Sequence, residues 1–253
     1  MNQRNIKMVL AFDGTDFSGW QTQKNSRTVQ GTIEAALEKI HNRKIRITGS
    51  GRTDSGVHAN GQVLSFKTDN STISAGKFAL ALNSNLPDDI RIITSCEIHD
   101  GFNARFDAVL RSYKYFLSPI SILNPVYRNY CHSISFFPDI SILNNLARIF
   151  IGEHDFTTFT ASGDASKTKV RRVVTSCFYV SGSFLVFEIA ANAFLWKMVR
   201  SIVGTILDYA RSRSEKAGAR ELKAALKAQD RSLAGSTAPA KGLFLDRVSY
   251  AKI

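Results

Sequence analysis

The chain has 253 residues, 44% hydrophobic and 21% charged, a composition that excludes a disordered, tail-rich chain and suits one large domain or two small ones. Lys and Arg number 33 against 21 Asp and Glu, a formal charge of +12. That excess favours a polyanionic partner, above all nucleic acid, because phosphate contacts release counterions.

In chain order, a strand is predicted over residues 6–12. A helix follows in "TVQGTIEAALEKI", where Val29, Ile33, Ala36, Leu37 and Ile40 recur at helical spacing. A strand over 44–48, the glycine-rich "GSGRTDSGVHANGQ" and a strand over 62–67 come next. "SAGKFALALNSNL" predicts a short helix with Ser74 as N-cap, before a strand over 90–98. This β-α-β-β-α-β order reads as an α+β sandwich of the ferredoxin-like type.

The second half repeats the plan loosely, with no repeat at the level of sequence. Strands are predicted over 112–117, 130–134, 170–180, 184–190 and 244–250. Helices are marked by Leu143, Leu146, Ala147 and Phe150, by Leu195, Met198, Val199, Ile202, Val203 and Ile206, and by Leu222, Ala225 and Leu226 within 220–229. Lys197, Arg200 and Asp208 interrupt the second of these, which makes it a core helix and not a membrane span. A boundary near 107–111 gives two ferredoxin-like sub-domains with antiparallel or mixed sheets, 1–108 and 109–253. They are expected to join around a central basic cleft, a common place for a ligand site.

Cys96, Cys131 and Cys177 lie far apart without CxxC spacing, as expected for a reduced, cytoplasmic protein. The segment "MNQRNIKMVLAFDG" has no apolar run of a signal peptide. The loop "TASGDASKTK" leads into Lys167, Lys169, Arg171 and Arg172, either an edge for nucleic acid or a solvated face. "STISAGK" reads as a solvated connector, and "SLAGSTAPAKG" is a further polar, small-residue loop.

The glycine-rich stretch fails the nucleotide-binding patterns. A dinucleotide fingerprint needs G-x-G-x-x-G opening a helix, but Gly56 comes one position late and a strand follows. A P-loop needs Lys and then Ser or Thr after Gly51–x4–Gly56, where Val57 and His58 stand. Asp54 and His58 have no nearby Cys or second His, so no metal site is expected. What remains is an aspartate on a sharp bend between strands, flanked by Arg52 and His58. It either caps its own turn or is an ionised catalytic group.

"GRTDSGVHANGQV" resembles the signature of the TruA-type tRNA pseudouridine synthases, roughly G-R-T-D-x-G-V-H-A. "FDGTDFSGWQTQ", "FNARFDAVLRSYKYFL", "GEHDFTTF", "NAFLWKMVRSIVGT" and "APAKGLFLDRVSY" are similar to further blocks of that family, in order from about residue 10 to residue 250. The "DYARSRSEKAG" stretch departs from it where a glycine-containing turn is common. The resemblance implies isomerisation of uridine to pseudouridine in the anticodon arm of tRNA, at positions 38 to 40, by a homodimer without metal or organic cofactor. It implies that Asp54 is the catalytic aspartate, as nucleophile or base, and that Tyr113 stacks on the extruded uracil. Arg200 is assigned to pair with Asp54, and Arg52 to hold RNA. Leu243 and Leu245 are candidates for an apolar wall, and Tyr115 is read as core. His58 is read as stabilising the loop or touching RNA, and Arg105, Lys167, Lys169 and Arg171 complete the candidate RNA contacts. His154 and Asp155 are expected to fix a helix-to-loop junction. The rival reading is a non-catalytic tRNA-binding or folding protein. An acidic residue among phosphates argues against it, since a pure binder has no use for that charge. A nucleoside-cleaving enzyme leaves the +12 charge unexplained.

Overall fold

A computed structural model describes residues 3–212 and 215–250. It divides into two units, one running to Val109 and taking in the residues from Phe244 onward, the other Leu110–Leu243.

In the first unit the strand β1 (Arg4–Phe12) leads into the helix α1 (Val29–His41). Thr28 caps that helix by accepting a bond from Gly31 N, and Asn42 ends it in the left-handed region at φ 52°. The elements β2 (Thr48–Gly49), β3 (His58–Thr68), α2 (Phe78–Asn83) and β4 (Ile90–Ile98) follow. β1 is antiparallel to both β3 and β4, and β2 pairs with the far side of β3, so the order is β4-β1-β3-β2. This is the expected α+β plan with a helix after the first and third strands. Ile6, Met8, Leu10 and Phe12 alternate along β1 and are buried, as the period-2 pleat requires. Phe66 of β3 meets Phe78 of α2 edge-on at 5.6 Å and His41 of α1 at 6.3 Å, which ties sheet to helices.

Two expectations change here. The strand expected over 44–48 shrinks to two residues, because the N–H of Ile47 bonds to the Glu34 carboxylate of α1 (3.2 Å) instead of a neighbouring strand. Ser74 does precede the turn at Ala75–Lys77, but its carbonyl, not its hydroxyl, takes the Lys77 N–H.

The second unit holds β5 (Leu110–Pro119), β6 (His132–Ile134), α3 (Ile140–Ala147), β7 (Gly152–Asp155), β8 (Val170–Ser181), β9 (Phe184–Ala191), α4 (Met198–Ser212) and α5 (Glu215–Ala228). Its strands run in the order β5-β9-β8-β7 with antiparallel neighbours, and β6 lies parallel to β5. Leu143, Leu146, Phe150, Phe187, Met198 and Ile202 form a core with at most 1% exposure. β7 was not expected: His154 and Asp155 lie in this strand, opposite Arg171 and Val170, and not at the end of a helix. The Asp155 carboxylate then accepts bonds from Thr157 N (2.8 Å) and Oγ1 (2.6 Å), turning the chain out of the strand. In the departing stretch "DYARSRSEKAG", α4 runs through Ser212 and α5 starts at Glu215, while residues 213 and 214 lie outside the described residues.

The closing strand β10 (Leu243–Ser249) runs parallel to β3, with Phe244 opposite His58 and Leu245 opposite Ala59. A Cβ on Gly61 would stand 2.4 Å from the Asp246 carbonyl oxygen, so that approach requires glycine. The expected partition into 1–108 and 109–253 therefore differs at its end, where this strand joins the first unit.

Candidate active-site residues

Asp54 sits on the bend between β2 and β3, half-buried, in a loop held from below by residues 13–20. Its carbonyl accepts the Val57 N–H (3.2 Å), and Gly56 takes φ 75° to close that turn. Trp20 N donates to the Thr53 carbonyl (3.1 Å) and Ser55 Oγ donates to the Phe17 carbonyl (3.1 Å). On the β2 side, Gln62 Nε2 donates to the Gly51 carbonyl (2.9 Å) and Ser50 Oγ donates to Gln62 Oε1 (2.5 Å). All but the last of these bonds hold main chain around the carboxylate, and the last orients the Gln62 side chain, which suits a group that must be aimed. The Thr53 hydroxyl oxygen is buried and finds no hydrogen-bond partner among the described residues.

Glycine serves the loop by close approach more than by bending. A Cβ on Gly49 would enter the Trp20 ring at 2.5 Å, and one on Gly14 would stand 2.0 Å from the Val57 carbonyl oxygen. Gly51, by contrast, has open space beside it, next to the exposed Arg52.

His58 is held inside the first unit. It is 1% exposed, its Nδ1 lies 3.0 Å from the donating Gly14 N–H and 3.1 Å from Asp13 Oδ1, and its ring stacks on Phe244 at 4.6 Å. The first residue of β3 is thereby bolted to the 13–20 segment and to β10, which suits the loop-stabilising reading.

In the second unit Arg200 lies in the first turn of α4, half-buried. Its Nε donates to the Ala238 carbonyl (2.8 Å), and its own carbonyl accepts the Ala238 N–H (3.0 Å). The stretch 235–238 continues along that face of the helix: Gly235 N donates to Thr205 Oγ1 (2.9 Å) and Ser236 N donates to Asp208 Oδ2 (3.0 Å). Gly204 lets it in, since a Cβ there would stand 1.7 Å from the Ser236 carbonyl oxygen. The polar positions of an otherwise apolar helix are thus receptors for a strap that orients Arg200. This strap is part of the polar loop "SLAGSTAPAKG", and its signal in the sequence is Asp208, placed two turns after Arg200.

Tyr113 and Tyr115 point to the same side of β5. Tyr115 is fully buried, donates to the Pro239 carbonyl (2.8 Å) and packs over Gly242. Burial raises its hydroxyl far above the ordinary range, against the opposing charge of Arg200. Tyr113 is 8% exposed and meets Phe194 edge-on at 5.0 Å. Leu243 and Leu245 are buried, the second opposite Ala59 in the first unit.

The basic candidates separate by their partners. Lys169 Nζ bonds to Asp164 Oδ1 (2.5 Å) and to the Asp164 carbonyl (2.8 Å), and Asp164 also receives the N–H groups of Ser166 and Trp196. Arg171 donates to the carbonyls of Thr168 (2.9 Å) and Val170 (2.6 Å), and burial lowers its pKa against the pull of Asp164. Both cations are spent on the loop, which argues against their expected use on RNA. Lys167 and Arg105 are exposed, Arg105 with its guanidinium 5.6 Å from the Phe106 ring.

Burial acts to raise the Asp164 pKa, but Lys169 and the two N–H donors overcome it and hold the carboxyl well below the usual range. A depressed pKa lends stability that is whole above the unfolded value near 3.9 and is lost as pH falls through the folded value. Asp164→Asn is expected to lower stability at pH 7 by about 1.5–3 kcal/mol. Urea titrations at pH 7 and in acid check this: the gap between variant and parent should shrink at the lower pH.

Asp54, Arg52, His58, Arg105 and Leu245 thus belong to the first unit, and Tyr113, Arg200, Lys167, Lys169 and Arg171 to the second. Among the described residues no three His, Cys, Asp or Glu side chains gather as a metal site, and no helix is long and apolar enough to cross a membrane.

Comparison with known proteins places this geometry in context. Residues 8–107 and 146–251 match the family described as tRNA pseudouridine synthase. A tRNA pseudouridine synthase A of Treponema denticola is 44% identical over 98% of this chain and 94% of its own. The protein of the same name from Thermoanaerobacter sp. is 41% identical over 98% of this chain and all of its own. That of Treponema pallidum is 44% identical over 92% of this chain and 84% of its own.

Proposed function

The chain belongs to the tRNA pseudouridine synthase family, and from that premise we propose that it isomerises uridine to pseudouridine in the anticodon arm of tRNA, at positions 38 to 40, with Asp54 as the essential carboxylate. The observation that carries this reading is the full-length relatedness, which spans the loop of Asp54 and the helix of Arg200 alike. The reaction breaks the bond between uracil N1 and the ribose C1′, turns the base, and forms a bond from C5 to C1′. The proton lost from C5 is balanced by one gained at N1, so no oxidant, reductant or second substrate is consumed.

Each part asks for a side chain of one kind. A nucleophile or base must be ionised and aimed, and the braced loop supplies an aimed carboxylate. Arg200, its guanidinium Nε fixed by the Ala238 carbonyl, is the cation assigned to pair with it. Arg52, exposed on the same loop, holds RNA phosphate. Leaving the stack costs the uridine a few kcal/mol, and Tyr113 offsets this by stacking, worth about 1–3 kcal/mol per base. The protein acts on tRNA in the cytoplasm as a homodimer.

The assay is conversion of a tRNA transcript by purified protein, read by carbodiimide derivatisation of pseudouridine and primer extension. Stops at 38 to 40 support the proposal. Tight binding without stops favours the rival, a tRNA-binding or folding protein. Tyr113 has its own check: Tyr113→Phe should bind within about threefold of the parent, whereas Tyr113→Ala should lose about 5- to 150-fold. Equal losses in both variants would assign the effect to the hydroxyl and not to stacking.

A further inference from the structure

Trp196 is presented unlike Trp20. Trp20 is 2% exposed under Gly49, whereas the Trp196 residue is 45% exposed. The main chain that carries it is held on both sides. The main-chain N–H of Trp196 donates to Asp164 Oδ2 (2.7 Å), and its carbonyl accepts from Ala161 N (3.0 Å) and Thr160 Oγ1 (3.3 Å). Asp164 is itself held by Lys169, so that ion pair serves as the foot of this clamp.

Lys197, the next residue, has φ 59°, a left-handed conformation that a long side chain adopts only where its surroundings enforce it. The turn sets Lys197 Nζ 5.0 Å from the centroid of the Trp196 ring. Gly163, at φ 88°, passes the ring from the other loop, where a Cβ would stand 3.7 Å from Cζ3. α4 begins at the following residue, so the same rigid turn leads directly into the helix of Arg200.

We propose that Trp196 and Lys197 form a nucleotide platform, in which the indole stacks on an unpaired base of the substrate RNA and the ammonium meets the adjoining phosphate. A protein partner would call for apolar residues beside the ring. Here the clamping loop brings Gly163 to the ring, and the next residue is a lysine whose ammonium lies beside it. An aromatic face with a cation beside it is the combination that single-stranded nucleic acid recognises without regard to sequence. The platform rests on the reading of tRNA as substrate, and adds a contact to a nucleotide other than the target uridine.

The test uses the intact protein and an anticodon-arm RNA hairpin. Trp20 is buried, so quenching of tryptophan fluorescence on RNA addition reports chiefly on Trp196, and it should vanish in Trp196→Ala. That variant is expected to raise the Kd for the hairpin by about 5- to 150-fold, while Trp196→Phe stays within about threefold. Lys197→Gln is expected to lower the slope of log Kd against log salt by about one charge. Urea midpoints for each variant separate lost binding from lost fold. Unchanged affinity in Trp196→Ala, or equal loss in both Trp196 variants, overturns the platform. If the unaltered protein converts uridine while Trp196→Ala binds normally, only the platform fails; if the unaltered protein neither binds nor converts tRNA, the reading beneath it fails.

Discussion

Asp54→Asn is expected to abolish pseudouridine formation while the variant still folds and still binds tRNA. Asparagine keeps the size of the side chain and the carbonyl that accepts the Val57 N–H, and the other loop bonds run through Thr53 and Ser55. What it removes is the ionised oxygen. Loss of a positioned acid–base group alone removes about 10²–10⁴ in rate, and loss of a nucleophile removes the step. Binding should not suffer, because a carboxylate set among phosphates opposes RNA, and its neutralisation relieves that repulsion. Single-turnover conversion and filter binding on one preparation decide the matter. Conversion within tenfold of the parent would show that Asp54 is not the essential group. The same assay tests Arg200. Removal of a cation that acts with the carboxylate in the reaction should cost rate, so Arg200→Gln is expected to lower conversion by about 10²–10³-fold while tRNA still binds. Conversion equal to the parent's would dissociate Arg200 from the reaction.

The fold was legible wherever one rule governed a whole element. Alternation in β1 and the 3.6 period of α1 and α4 needed no tertiary knowledge, whereas the Thr28 cap of α1 emerges only from its bond to Gly31 N. Misjudged positions were those where two rules competed for one group. The N–H of Ile47 could have joined a ladder, but a carboxylate from α1 took it. His58 was open to a loop-stabilising or an RNA-contacting part, and the ring that stacks on it comes from β10, nearly 200 residues further on. Lys169 and Arg171 counted toward the positive charge, although Asp164 and two main-chain carbonyls had already engaged them. At the site, the aspartate and its glycines could be read from the motif, while the brace beneath them could not. Nothing local in "FDGTDFSGW" says that its glycines exist to admit the backbone of residues 53–57.

That brace gives the second large effect. Gly14→Ala is expected to lower conversion by about 10²-fold, because a displacement near 1 Å at a reacting group costs about that much. The added Cβ would stand 2.0 Å from the Val57 carbonyl oxygen and 2.6 Å from its carbon, and both are main chain that cannot swing aside. Either the 13–20 segment withdraws, releasing the bonds from Trp20 N and Ser55 Oγ, or the turn of Asp54 to Val57 moves as a body. Overpacking of this kind also lowers stability, by about 1–3 kcal/mol, so the comparison must be made well below the urea midpoint of the variant. Gly51→Ala is the matched control on the other side of Asp54. Nothing lies within 4 Å of the Cβ it would add, and its φ is not in the left-handed range. It should hold the parent's stability to about 0.5 kcal/mol. If Gly14→Ala converts uridine as fast as Gly51→Ala, the aim of Asp54 does not depend on the contact between Gly14 and Val57. If Gly51→Ala folds like the parent but binds RNA less well, the open space beside it belongs to the RNA.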